Sequence, residues 1–262
     1  MSKTLGIAFG GSGAQGIAGV AYVKALEALG IKPDIVSGTG IGAVVASMYA
    51  AGMDSDGMMQ FMREVDFPGA KRPVNAARVK DAKIGILDGL GLEEYYQMIV
   101  PVKVFDRLYF HLKIVAANAV TGEAVMFTHG DVGRAVRCAA AVPGVFLPHK
   151  VEEDYFFDGS CVNPVPFDII RDDCDVLAAV YPQIKAKEDS YSTQVFFALT
   201  DAYNAAKKAL AEEKQKTCRV DKYESIILEG FSMYDFALFE DIIESAEEQA
   251  GMFALDLQNK LK

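Results

Sequence analysis

Apolar and polar positions along the chain fall into blocks that switch between strand and helix spacing. Leu5-Gly6-Ile7-Ala8-Phe9 is a short apolar run closed by glycines, which predicts a buried strand. Residues 10–16 form a glycine-rich turn. Residues 17–29 then place Ile17, Val20, Ala21, Leu26 and Leu29 at near-helical spacing until Gly30 stops the pattern. Pro33-Asp34 leads into a second strand, Ile35-Val36-Ser37. A second tight turn spans 38–42, and residues 43–51 are apolar on every side, a buried helix capped by Gly52. Residues 54–102 lose this regularity, and their scattered glycines with Pro68 and Pro73 predict a lid or variable loops. A strand over 112–120, the Thr121-Gly122-Glu123 turn and a return strand over 124–128 predict a hairpin. A helix over 132–141 ends at Pro143-Gly144. Tyr155-Phe156-Phe157 is a strand with Asp158-Gly159-Ser160 just past its end, and 176–180 is a further buried strand. The last third predicts amphipathic helices over 201–216 and 239–261. Strands alternating with helices early, and helices late, predict an α/β fold layered on one sheet.

The 262 residues suffice to bury one sizeable core, so a single α/β domain over 1–262 is expected. The longest uncharged apolar stretch, residues 35–53, is broken by Ser37, Thr39 and four glycines and reads as strand–turn–helix, not as a membrane span. No basic region followed by an apolar run opens the chain, so no signal peptide is expected. Cys138, Cys161, Cys174 and Cys218 are scattered without a CxxC pair. That suits a reducing, cytoplasmic setting and offers no zinc site. The net charge of −10 argues against nucleic acid as a partner. Lys71, Arg72, Arg78, Lys80 and Lys83 cluster against the trend; a solvated loop is the leading reading, ahead of a patch for anionic lipid headgroups.

Three clusters at predicted strand ends carry candidate chemistry, as open α/β sheets build sites there. In Gly11-Ser12-Gly13-Ala14-Gln15-Gly16, glycines expose backbone N–H groups beside a helix N-terminus, which suits a phosphate or a developing oxyanion. A dinucleotide site would want an acid at the end of the second strand; Asp34 stands before it, so the oxyanion reading leads. Gly38-Thr39-Gly40-Ile41-Gly42 has the layout of a nucleophile elbow, with glycine at the apex where a serine would stand. Asp158 is a candidate general base or the start of a turn. His111, His129 and His149 all precede it, so a Ser-His-Asp triad in the α/β-hydrolase order is not expected.

Taken together, these motifs resemble those of bacterial patatin-like phospholipases. Residues 5–52 match the opening, with its glycine loop, Pro-Asp lead-in and elbow. Residues 115–131 resemble the central hairpin, and residues 137–166, through Val142-Pro143-Gly144-Val145-Phe146 and Asp158-Gly159-Ser160, the aspartate segment. The resemblance spans about residues 5–182, with a helix-rich part over 183–262 expected to pack on the same domain. It implies a patatin-like three-layer sandwich, a mostly parallel sheet flanked by helices. It also implies a Ser-Asp dyad that cleaves lipid acyl esters without metal or cofactor; contact with a membrane surface is an expectation because lipid substrates sit in aggregates, and no transmembrane segment is expected. By position, Gly11 to Gly16 are the oxyanion loop, Gly40 the nucleophile position and Asp158 the proton acceptor. Gly38, Thr39, Ile41 and Gly42 complete the elbow.

The chain departs from the family at Gly40, at Gln15, where a basic residue is usual, and at Ser160, where glycine or alanine is usual. Loss of the serine in another serine hydrolase lowers turnover by roughly 10⁶. Ser12, Ser37 and Ser160 do not occupy the apex, so none is expected to replace it. Hydrolysis is therefore expected to be silenced; the alternatives are a lipid- or fatty-acid-binding pseudoenzyme and, last, a nucleotide-binding protein.

Overall fold

The computed structural model describes residues 3–65, 89–143, 146–185 and 195–262. The basic cluster over 71–83 lies outside them, as do Gly144 and Val145 of the aspartate segment. One eight-stranded sheet organises the chain. Its strands are β1 (Leu5–Phe9), β2 (Ile35–Gly38), β3 (His111–Asn118), β4 (Ala124–Phe127), β5 (His149–Val151), β6 (Asp154–Asp158), β7 (Val176–Ile184) and β8 (Lys222–Leu228). They run in the order β5-β6-β3-β2-β1-β7-β8, with β4 paired to β3 off this path. The pairs of β1 with β2 and β7, of β2 with β3 and of β7 with β8 are parallel. The remaining pairs, at the β3–β6 side, are antiparallel. A parallel centre needs cover on both faces, which is why β1 and β2 are buried at every position.

The helices are α1 (Gly19–Ala28), α2 (Ile41–Ala50), α3 (Ser55–Glu64), α4 (Leu90–Ile99), α5 (Val132–Ala139), α6 (Val195–Thr217), α7 (Phe239–Glu244) and α8 (Glu247–Leu261). All ten residues of α2 are buried, as its uniformly apolar sequence requires. Helix α1 packs on α8 with Tyr22 edge-on to Phe253 at 5.1 Å. On the other face Phe167, Ile170, Leu177 and Tyr181 gather with Ala211 of α6. The described chain is thus an α/β fold with a mostly parallel sheet flanked by helices, as expected.

Several expectations change. Part of the irregular stretch is regular: Asp54 caps α3 by accepting from the Gly57 amide, and Met58, Phe61 and Met62 form the buried face of that helix. The predicted first helix begins as a 3-10 turn over Ala14–Ala18. The predicted helix over 239–261 breaks between α7 and α8 at Ser245-Ala246. Strand β8 sits where only helices were anticipated.

Candidate active site

The C-terminal ends of β1, β2 and β6 bring the three sequence clusters to one place. Gly40 is the N-cap of α2, with φ 59° and ψ −139°, a conformation that side-chain-bearing residues adopt only under strain. The chain turns from strand to helix so tightly that the neighbours of Gly40 touch backbone: a Cβ on Gly42 would lie 2.5 Å from the Gly10 carbonyl oxygen. The Thr39 hydroxyl donates to the Val115 carbonyl at 3.3 Å, tying the turn to β3. Ile41, first residue of α2, is fully buried.

A Cβ on Gly40 would stand 2.6 Å from the Gly11 carbonyl oxygen, 3.0 Å from Ser12 Cα and 3.1 Å from Ser160 Oγ. The same Gly11 carbonyl accepts from the Gly42 amide at 3.2 Å. The glycine loop therefore lies directly against the apex of the elbow.

Asp158 ends β6 and has no exposed surface. Its amide donates to the Ala141 carbonyl at 2.9 Å, which fixes the backbone. One carboxylate oxygen accepts the Ser160 amide at 2.7 Å, and the other accepts the Ser12 hydroxyl at 2.5 Å. Burial raises the Asp158 pKa, opposed by the Ser12 bond, the charge of Lys207 and the Ser160 bonds.

Backbone hydrogen bonds hold the glycine loop in place. Ala14 donates to the Met233 carbonyl and Gly16 to Gly13, which anchor it. The amides of Gly11, Ser12 and Gly13 meet no acceptor among the described residues. Three N–H groups beside a buried carboxylate are the donors that an oxyanion needs. Gln15 is buried, and its Oε1 has no hydrogen-bond partner.

Ser37 and His149 are engaged elsewhere. Ser37 donates to the Pro166 carbonyl at 2.8 Å, inside the sheet. His149 faces Glu93 at 3.5 Å, and burial with Arg137 and Arg134 lowers its pKa to about 4, so it is neutral near pH 7. Asp34 accepts the Leu5 amide at 2.7 Å, at the edge of the sheet away from the glycine loop, which removes it from any ribose role. No group of three or more His, Cys, Asp or Glu side chains is arranged to hold a metal ion among the described residues.

Sequence reasoning missed Lys207 and Tyr203 of α6. The Lys207 ammonium lies over the Tyr203 ring, 4.3 Å from its centroid, and Lys207 is only 4% exposed. The Tyr203 hydroxyl lies 3.6 Å from Cys161 Sγ, three residues past Asp158. Spacing held a signal: Tyr203, Lys207 and Ala211 fall four residues apart on one helical face, and Ala211 is a core residue.

An elbow-like turn, a glycine loop with free amides and a buried aspartate meet at the ends of a mostly parallel sheet. The sequence profile of the Patatin-like phospholipase family matches residues 7–171, and the chain belongs to that family. An uncharacterized NTE family protein of Mycobacterium bovis is 29% identical over 168 residues, 63% of this chain and 45% of that protein. Lysophospholipase nte1 of Emericella nidulans is 45% identical over 163 residues, 62% of this chain and 10% of that protein. The chain thus spans less than half the length of these relatives. Among solved structures, VipD from Legionella pneumophila shares the fold at a TM-score of 0.56 and 14% identity, over 99% of this chain and 67% of that one.

Proposed function

We propose that this chain is a lipid acyl-ester hydrolase scaffold whose Ser-Asp chemistry is silenced at Gly40, leaving a site that binds acyl lipids without forming an acyl-enzyme. The observation that carries this reading is the pairing of an elbow glycine with a buried Asp158 whose free oxygen is held by Ser12. In the active form of such a site, the apex hydroxyl passes its proton to the aspartate and attacks the ester carbonyl. The amides of Gly11, Ser12 and Gly13 take the negative charge. Here no hydroxyl stands at the apex, and the proton-accepting oxygen is already occupied. The phospholipase family match and the Emericella lysophospholipase support the lipid side of the reading, and no described helix is long and apolar enough to cross a membrane. The geometry also argues for a settled non-catalytic state, because Ser12 satisfies the carboxylate in place of a nucleophile.

The test is fluorophosphonate labelling and short-chain ester hydrolysis of the unmodified chain, Gly40→Ser and Gly40→Ser/Ser12→Gly. The unmodified chain is expected to stay unlabelled. The double variant is expected to label and turn over, and Gly40→Ser alone to do so more weakly, because Ser12 still holds Asp158. Labelling of the unmodified chain refutes silencing at Gly40. A folded double variant that neither labels nor hydrolyses ester refutes the hydrolase reading.

A further inference from the structure

Between the glycine loop and α6, at the C-terminal ends of β7 and β8, lies a cavity of about 330 Å³, large enough for a small ligand. Lys207, Gln15, Asn204, Lys185, Lys208 and Asp201 are among its lining residues. We propose that this cavity is a subsite for a phosphate group, with Lys207 as its charged contact and Gln15 as its polar wall.

Lys207 carries the argument. A buried ammonium is costly unless it is paired. Among the described residues Lys207 forms no ion pair and no hydrogen bond; its contact is the face of Tyr203. The charge of Asp158 attracts it without closing a salt bridge. Desolvation outweighs that attraction and the attraction of Cys161, and lowers the pKa to about 8. A ligand oxyanion in the cavity supplies the missing partner. Lys185 and Lys208 add positive charge at the rim but already lie 3.0 Å from Glu229 and 3.9 Å from Glu212, which leaves Lys207 as the unneutralised cation.

Gln15 is a second, independent observation. It is 3% exposed and lines the same cavity with an unpartnered Oε1. Its amide nitrogen carries two N–H groups that can donate to a ligand anion. Because Gln15 belongs to the glycine loop and Lys207 feels Asp158, the subsite adjoins the candidate active site. A phosphate ester held here would place its alcohol-derived part toward the elbow. The inference rests on the lipid reading only for where the phosphate comes from: a phospholipid-type headgroup or free phosphate.

The experiment is calorimetric titration of the full chain with inorganic phosphate, glycerol 3-phosphate and dihexanoyl phosphatidic acid, with glycerol as control. The phosphate-bearing probes are expected to bind, and Lys207→Met to weaken them by at least about tenfold, the loss of one charged hydrogen bond. Lys32→Gln, at a distant surface, is expected to change nothing. Phosphatidic acid tighter than inorganic phosphate assigns the site to a headgroup; equal affinities assign it to free phosphate. A second readout uses the unmodified chain: the Lys207 ε-carbon resonance should titrate at higher pH when phosphate is present. Absence of binding, binding that Lys207→Met leaves intact, or an unmoved Lys207 titration overturns the proposal. Binding needs no nucleophile, so failure of the serine variants to hydrolyse ester leaves this result standing, and the reverse holds too.

Discussion

The elbow and the α6 flank border the same aspartate and are built in opposite ways. At the elbow, backbone packs on backbone: Gly38, Gly40 and Gly42 each face main-chain atoms closer than a Cβ tolerates. At the α6 flank a cavity remains, lined by a buried lysine without an ion-pair partner among the described residues and by a buried glutamine. Tight packing makes the elbow intolerant of added atoms, whereas the flank has room and polarity to spare. On the proposed reading, the first region has no nucleophile and the second offers a place to bind.

Four variants sharpen this contrast. The largest effect belongs to Gly42→Ala, whose methyl group meets the carbonyls of Phe9 and Gly10. It should lower stability by about 3 kcal/mol in urea denaturation; a loss under about 1 kcal/mol means the elbow yields more easily than its packing suggests. Gly40→Ser comes next, at about 2 kcal/mol. It combines a positive φ with displacement of the Gly11 carbonyl, and thus of its bond to the Gly42 amide. Ser12→Ala removes a hydrogen bond to Asp158 and should cost about 1.5 kcal/mol. It should also raise the titration midpoint of Asp158 further, since the Ser12 bond opposes the rise caused by burial; carboxyl carbon NMR reads this.

The smallest effect lies on the flank. Lys207 titrates at about 8 when folded and near its ordinary 10.5 when unfolded, so the unfolded chain holds more protons between those values. The contribution of this group to stability therefore rises with pH across that window and is lowest below about 8. Between about pH 7.5 and 8.5 the gain is under about 1 kcal/mol. Lys207→Met should abolish that slope in urea midpoints. Asp158 and Cys161 both face Lys207, and Tyr203 lies beneath it. Burial pushes the Cys161 thiol up to about 11 and holds the Tyr203 hydroxyl well above its ordinary range.

The elbow half was legible in the sequence because tight strand-to-helix turns admit few residue types. Glycines at 38, 40 and 42 between an apolar strand and an apolar helix leave one geometry. The edges were not. Strand β8, Lys222–Leu228, has only Ile226 and Leu228 buried, so its charged half hides the strand period. Strand β5 has three residues and none fully buried. Helices α7 and α8 share one amphipathic pattern, and nothing in it marks the break at Ser245-Ala246. Lys207 was missed for a related reason: in a helix rich in Lys and Glu a buried lysine looks like a solvated one. The charge it feels, Asp158, is 49 residues away, where no periodicity connects them.

The contact between the Gly11 carbonyl and the apex of the elbow acts as a ratchet. With no side chain at position 40, the loop rests where a serine Cβ would stand, and Ser12 holds the aspartate. A single codon change at 40 now meets an occupied space. On the proposed reading, serine at 40 alone would give weak hydrolysis, and full activity would need a second change in the loop. Populations of this gene under selection for ester hydrolysis should therefore recover changes at 11 or 12 together with serine at 40, and seldom the latter alone.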